Sequence, residues 1–115
     1  MEKRNIVLEK SFEFALSIIE FSEQLEVLKK YVLAKQILRS GTSIGANIRE
    51  AQSCESMADF VHKLKIAAKE AEETKYWILL CKFSPTYPFE PSILLKLDEL
   101  QRLLSSIIST SKNKN

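Results

Sequence analysis

The chain has 115 residues, of which 45% are hydrophobic and 28% are charged, and its 17 basic and 15 acidic side chains leave a formal net charge of +2. This length is sufficient for one domain with its own core. The near balance of charge neither requires nor excludes a polyanionic partner, whereas two glycines and three prolines leave few turn sites for a strand-rich protein. The composition therefore predicts an all-α fold.

The chain also lacks the sequence features of a secreted or membrane protein. It begins with charged residues and contains no uninterrupted apolar run of signal-peptide or membrane-spanning length. Its two cysteines, Cys54 and Cys81, are far apart, and Cys81 occupies an apolar helical position that is typical of a buried free thiol. We expect a cytoplasmic protein with no membrane contact and no disulfide framework.

The first predicted helix runs from about Asn5 to Gln24 and has more apolar surface than one core face needs. Its apolar residues form two seams, Leu8, Phe12, Ala15 and Ile19 in one, and Phe14, Ile18, Phe21 and Leu25 in the other. A helix in a monomeric bundle normally buries one face. The second seam therefore belongs either to a wide core face or to a second contact within or between subunits.

The second predicted helix, from about Leu28 to Gln52, contains both glycines of the chain. Steps of four and three join its apolar seam, which consists of Ile37, Gly41, Ile44, Ile48 and Ala51. Each glycine inside a helix costs about 1 kcal/mol relative to alanine, so we expect another helix to approach closely at Gly41 and Gly45. A polar stripe beside this seam consists of Gln36, Ser40, Ser43, Asn47 and Glu50. We expect this stripe at a helix contact, either inside one bundle or between subunits.

The third predicted helix begins with a capping box, Ser56 to Asp59, and ends near Phe83. Its seam is a heptad pattern with small residues in the middle: Phe60, Leu64, Ala67, Ala71, Thr74, Ile78 and Cys81. We expect the alanines of this seam to pack against Gly41 and Gly45. Lys63, Glu70 and Trp77 flank the seam at intervals of seven, which predicts a polar network with the stripe of the second helix.

The fourth predicted helix follows a rigid connection that contains all three prolines, and Pro91 suits its first turn. Its apolar positions have helical spacing: Ile93, Leu94, Leu97, Leu100, Leu103, Leu104, Ile107 and Ile108. We expect the polar tail, residues 109–115, to fray. Because the connections are short, the four helices predict an antiparallel up-and-down bundle that forms one domain over residues 1–115.

The residues needed for an enzyme or metal site are scarce. Asp59 and His62 have the spacing of one half of a di-iron site, but the chain has no second histidine. Structural zinc would need four cysteine or histidine ligands, and the chain has three such residues in total. The sequence also contains no glycine-rich phosphate loop. The carboxylates of Glu50, Glu70 and Glu73 are expected to form ion pairs with Arg39, Lys63 or Lys69. We therefore predict a protein that is not an enzyme and has no cofactor.

Two long segments, Lys35–Ala51 and Phe60–Trp77, together resemble the four-helix bundle proteins of the ribosomal RNA intervening-sequence family. The resemblance implies an antiparallel bundle that assembles into a homo-oligomer, commonly a pentamer, without established enzymatic activity. It also implies that the matched polar positions serve fold or assembly: Arg39, Ser40, Ser43, Asn47, Glu50, Lys63, Glu70 and Trp77. A similar bundle is an accessory subunit of diversity-generating retroelements, where it works with a reverse transcriptase and nucleic acid.

Two hypotheses of function follow. In the first, the protein binds RNA or DNA through five basic residues: Lys29, Lys30, Lys35, Arg39 and Arg49. The charge distribution supports this hypothesis, because residues 31–53 carry a net charge of +2 whereas residues 1–30 carry −1. A symmetric ring would multiply this local excess of positive charge, although a solvated basic face has the same composition. In the second, the protein is a scaffold or accessory subunit that binds another protein through the extra apolar seam of the first helix.

Overall fold

Four helices account for most of residues 5–113, the part of the chain that this computed structural model describes. They are α1 (Ile6–Val27), α2 (Tyr31–Ala51), α3 (Met57–Phe83) and α4 (Pro91–Lys112). The side chain of Asn5 caps α1 by accepting a hydrogen bond from the amide of Leu8 at 3.2 Å. Ser56 caps α3 as its sequence predicts, because its hydroxyl accepts from the amide of Asp59 at 3.0 Å.

The helices pack in chain order around one core. α1 and α3 each contact both α2 and α4, and the described residues extend over 48 × 27 × 20 Å. The contacts run antiparallel: Ser40 of α2 meets Thr74 of α3, while Glu50, further along α2, meets Lys63, earlier in α3. The predicted all-α, antiparallel up-and-down four-helix bundle is confirmed.

The core is built from the apolar seams that the sequence predicts. On α2 every member of the seam is buried, and on α3 every member from Leu64 to Cys81 is buried. On α1 one of the two predicted seams enters the core: Phe14, Ile18, Phe21 and Leu25 are each no more than 1% exposed. In the other α1 seam, Phe12 is 64% exposed and Ile19 is 39% exposed, so this seam forms surface on the single chain.

Both glycines lie inside α2 at a close helix contact, but their partner helix is α1. A Cβ atom at Gly41 would lie 2.8 Å from both Cγ1 and Cγ2 of Ile18, and one at Gly45 would lie 3.4 Å from the carbonyl oxygen of Ser11. The expectation that Ala67 and Ala71 of α3 pack against the glycines is therefore wrong. Helical periodicity places a residue on a face of its helix, but it does not say which neighbour covers that face.

Helix boundaries differ from the sequence prediction at three places. α1 continues three residues beyond Gln24, and α2 begins at Tyr31 after a tight turn in which Lys29 has a φ of 63°. In the described part of the polar tail, residues 109–115, which we expect to fray, α4 continues to Lys112. Ser111 is buried, so packing extends beyond the last apolar residue. Within residues 5–113, no helix has the length and apolar character that crossing a membrane requires.

Candidate functional site

Two of the five candidate nucleic-acid-binding residues, Lys29 and Lys30, lie in the turn between α1 and α2. The ammonium group of Lys30 donates a hydrogen bond to Oγ1 of Thr86 at 3.2 Å and lies 4.7 Å from the centroid of the Tyr87 ring. These contacts bring the α1–α2 turn against the α3–α4 connection. Lys29, whose left-handed backbone conformation closes the turn, is exposed.

The other three candidates are on α2 but have different surroundings. Lys35 and Arg49 are exposed, and neither forms an ion pair with another residue in the range 5–113. Arg39 is already paired within the bundle, since its guanidinium contacts the carboxylates of Glu70 and Glu73 on α3. Two of the three α2 cations are thus available to an external anion, whereas the charge of Arg39 is largely balanced.

An exposed apolar surface, which we call the α1/α2 face, lies beside these cations. Its members on α1 are Phe12, Leu16 and Ile19, and Leu38 joins them from α2; their exposed fractions are 64%, 50%, 39% and 36%. A groove of about 170 Å³ opens on this surface, lined by residues that include Leu8, Phe12 and Ala15 of α1 and Gly45, Ala46 and Arg49 of α2. Gly45 contributes no side chain to the groove. The face therefore combines apolar contact area with an unpaired guanidinium.

On the opposite side of α2, polar side chains connect this helix to α3. The hydroxyl oxygens of Ser40 and Thr74, both fully buried, lie 2.8 Å apart and share a hydrogen bond. Lys63 donates to Oε1 of Glu50 at 2.6 Å, and this hydrogen bond, together with the charge of the carboxylate, raises the pKa of Lys63. Four of the polar side chains singled out in the sequence thus connect α2 to α3 within one chain: Ser40, Glu50, Lys63 and, through Arg39, Glu70.

The remaining members of the predicted network have different partners. Ser43 and Asn47 donate to backbone carbonyls one turn earlier in α2, at 2.6 and 2.8 Å, and do not reach across to α3. Trp77 donates through Nε1 to the carboxylate of Glu73 at 3.0 Å within α3. Every buried side-chain nitrogen and oxygen in the described range has a hydrogen-bond partner. This interior has no orphaned polar atom that would mark a ligand pocket.

The residues with catalytic chemistry are dispersed in the structure. His62 is exposed on α3, Cys54 is half-buried and Cys81 is buried in the core. Burial raises the pKa of Cys81 to about 11, which makes its thiol a poor nucleophile at neutral pH. Among residues 5–113, no three histidine, cysteine or acidic side chains are grouped so that they could hold a metal ion.

Sequence reasoning missed three participants in these surfaces. Leu16 follows Phe12 by four residues, so helical spacing alone would have placed it beside Phe12 on the α1/α2 face. Thr74 appears in the α3 seam as a core position, although a hydroxyl in an apolar seam needs a partner. Leu38, a large apolar residue one position beyond Ile37, carried no signal that distinguishes surface from core.

Comparison with known proteins agrees with this architecture. The family model described as "23S rRNA-intervening sequence protein" matches residues 3–106. The chain is 49% identical in sequence to a Bacteroides thetaiotaomicron protein with unknown function from the S23 ribosomal protein family, whose crystal structure has been solved. The match covers 89% of this chain and 97% of that one, with a TM-score of 0.79. No curated protein matches the chain. With the family model covering most of its length and the fold agreeing, the chain belongs to the 23S rRNA-intervening sequence protein family.

Proposed function

We infer that this protein is a non-enzymatic homo-oligomer that binds nucleic acid, with RNA as the proposed class, and that it has five subunits as its resemblance to the family implies. The observation that carries this proposal is the α1/α2 face, where exposed apolar side chains lie beside unpaired cations. The apolar part provides a surface for a second copy of the chain, and Lys35 and Arg49 provide charge for phosphates.

The apolar part of the α1/α2 face supports assembly because its exposure is costly in a monomer. Phe12 and Leu16 are at least half exposed, and they follow one another at helical spacing on the same side of α1. Burying apolar surface is worth about 25 cal/mol per Å². Covering this strip with a second copy would therefore stabilise the assembly more than covering a polar helix face of the same area would.

Mass measurement in solution, with absorbance at 260 and 280 nm, tests assembly and copurifying nucleic acid together. We expect the wild-type chain to elute as a multiple of 13.2 kDa and Leu16→Glu to elute as a monomer. Leu95→Glu is the matched control, since Leu95 is 71% exposed on α4, and it should keep the wild-type mass. A wild-type monomer at micromolar concentration would contradict the assembly proposal.

Binding to a structured ribosomal RNA fragment tests the proposal that the protein binds nucleic acid. We expect affinity to fall steeply between about 50 and 200 mM salt, and the double reversal Lys35→Glu with Arg49→Glu to weaken it further. Lys65→Glu with Lys69→Glu changes the net charge equally from exposed positions on α3, so it should weaken binding less. Failure of the wild-type protein to bind any RNA or DNA at low salt would end this part of the proposal.

The same apolar face favours a second candidate function, a scaffold or accessory subunit of another protein, for example in a complex of the reverse-transcriptase type. In this case a nuclease-treated cognate lysate should yield one specific protein on the immobilised wild-type chain, and Leu16→Glu should lose it. Retention that is equal on both chains would show that the α1/α2 face is not the binding surface.

A further inference from the structure

We propose that one end of the bundle, which we call the loop end, is a platform on which the bases of a single-stranded nucleic acid stack. The loop end consists of residues 27–35, which form the α1–α2 turn and the start of α2, and residues 80–90, which form the end of α3 and the proline-rich connection. The proposal rests on the proposed function, which it narrows to a class of nucleic acid and to a site. It is carried by the aromatic and basic side chains that meet there.

Charge is concentrated at the loop end. Residues 27–35 contain Lys29, Lys30 and Lys35 and no acidic residue, and residues 80–90 contain Lys82 and Glu90. The loop end therefore has a net charge of +3, while the whole chain has +2, so the rest of the chain is slightly negative. Glu23 and Glu26, in the last turns of α1, lie next to this range and offset part of its charge, so the attraction of the loop end for a polyanion depends on its lysine side chains and not on a large net charge.

Aromatic side chains are concentrated there as well. Tyr31, Phe83, Tyr87 and Phe89 are four of the chain's ten aromatic residues, of which the sequence has six phenylalanines, three tyrosines and one tryptophan. Phe83 is 76% exposed and Tyr31 is 55% exposed, although neither ring is needed to fill the core. Exposed rings beside lysines are the chemistry by which proteins bind single strands, because every base has a face that can stack while the lysines contact phosphates.

Contacts between side chains connect the two halves of the loop end. Lys30 joins the α1–α2 turn to Thr86 and Tyr87, and Lys82 lies 5.4 Å from the Phe83 ring centroid and 5.6 Å from that of Phe89. Lysines and rings are thus already placed within a few ångströms of each other. A single strand crossing this end could exchange the lysine–ring contacts for lysine–phosphate and ring–base contacts without refolding the bundle.

Fluorescence anisotropy of the full chain with a labelled single-stranded oligouridine tests the platform, and an RNA hairpin of equal length is the duplex probe. We expect the double variant Tyr31→Ala with Phe83→Ala to weaken oligouridine binding by about tenfold or more, with little change in the dependence on salt. Tyr31→Phe with Phe83→Tyr should bind as the wild type does, and so should Leu95→Ala, which removes an exposed apolar side chain from α4.

The outcomes separate this inference from the proposed function. No binding of either RNA by the wild-type chain at low salt would overturn both proposals. If the wild-type chain binds and the double alanine variant binds oligouridine equally well, the platform is wrong while nucleic-acid binding stands. Binding of the loop end to anionic phospholipid vesicles through Tyr31 and Phe83, without binding to oligouridine, would identify a membrane contact and would overturn the platform.

Discussion

At the scale of single residues, Gly41 and Gly45 lie one turn apart on α2 but face different parts of α1. At Gly41 a methyl group would meet the branched stem of Ile18 at 2.8 Å, and because Ile18 is fully buried, this stem can make room only if its neighbours in the core shift. At Gly45 the nearest atoms, those of Ser11, are at 3.4 Å and beyond, which is ordinary van der Waals contact. The two glycines therefore serve different purposes, although the sequence presents them as a pair.

This difference predicts opposite effects of the same substitution. Gly41→Ala should lower the free energy of unfolding. Overpacking costs about 1–3 kcal/mol, and the better helix propensity of alanine offsets only about 1 kcal/mol of that cost. Gly45→Ala should leave stability unchanged or raise it by up to about 1 kcal/mol. Urea unfolding at two protein concentrations measures both variants and separates subunit stability from assembly. Equal stability of the two variants would contradict the role assigned to Ile18.

Cys81 provides a second test at this scale. Because burial raises the pKa of its thiol from the ordinary 9.0 to about 11, the folded chain keeps this proton over a pH range in which the unfolded chain releases it. The contribution of Cys81 to stability is thus fully present below about pH 9 and is lost as pH rises toward 11. We expect the difference in unfolding free energy between wild type and Cys81→Ala to shrink over this range.

Thiol labelling of the native protein provides the complementary measurement. In Cys54→Ser, the remaining Cys81 should react slowly with a thiol reagent at pH 8 and rapidly in urea, since it has no exposed surface. In Cys81→Ala, the half-buried Cys54 should react faster in the native state. Native labelling of Cys81 at the rate of Cys54 would show that the core opens at α3.

At the scale of helices, the alignment of α2 with α3 depends on a buried hydroxyl pair with ion pairs around it. Ser40 and Thr74 share a hydrogen bond where no water can replace it, whereas the ion pairs of Arg39 and Lys63 are partly exposed. Exposed ion pairs contribute little, about 0–1 kcal/mol each. The buried pair therefore fixes the register more strongly than the charges do.

A double-mutant cycle measures this contribution. Thr74→Val should cost about 1–3 kcal/mol, because it leaves the buried Ser40 hydroxyl without its partner on α3. Ser40→Ala should cost less, because the Thr74 hydroxyl keeps the carbonyl oxygen of Glu70, 2.7 Å away in its own helix, as an acceptor. The double variant should cost less than the two together, by roughly 0.5 kcal/mol or more. Thr42→Val with Thr74→Val is the control pair, since the exposed Thr42 hydroxyl bonds to the carbonyl of Leu38 in its own helix. Strict additivity of Ser40 with Thr74 would show that their hydrogen bond does not fix the register.

The sequence was sufficient to predict which faces of α2 and α3 enter the core, because their seams have one continuous helical period, whereas on α1 it left two seams open. It was insufficient to predict which neighbour covers a face: the glycines contact α1 and not the alanines of α3. It named Arg39 both as a candidate for nucleic-acid binding and as an ion-pair partner of Glu70 or Glu73, and it could not choose between the two because the position of these carboxylates depends on the rotation of α3. Ser43 and Asn47 show the same limit, because a polar side chain on a helix can bond to its own backbone.

At the scale of the whole molecule, charge and assembly are connected through α2. Lys35 and Arg49 are two unpaired cations on a chain whose net charge is only +2, so a single subunit can neutralise few phosphates. In a symmetric assembly each subunit adds its own copies of these residues and of the loop end. The number of phosphates contacted, and not the strength of each contact, then sets the affinity.

This connection predicts that assembly controls the salt dependence of nucleic-acid binding. The slope of log K against log salt concentration scales with the number of phosphates neutralised, so a monomeric Leu16→Glu variant should have a shallower slope and weaker binding than the wild-type oligomer. Leu95→Glu, which adds the same negative charge on α4, should keep the wild-type slope. A monomeric variant with the wild-type slope would mean that one subunit makes all the phosphate contacts, and that the cations of neighbouring copies do not act on the same nucleic acid.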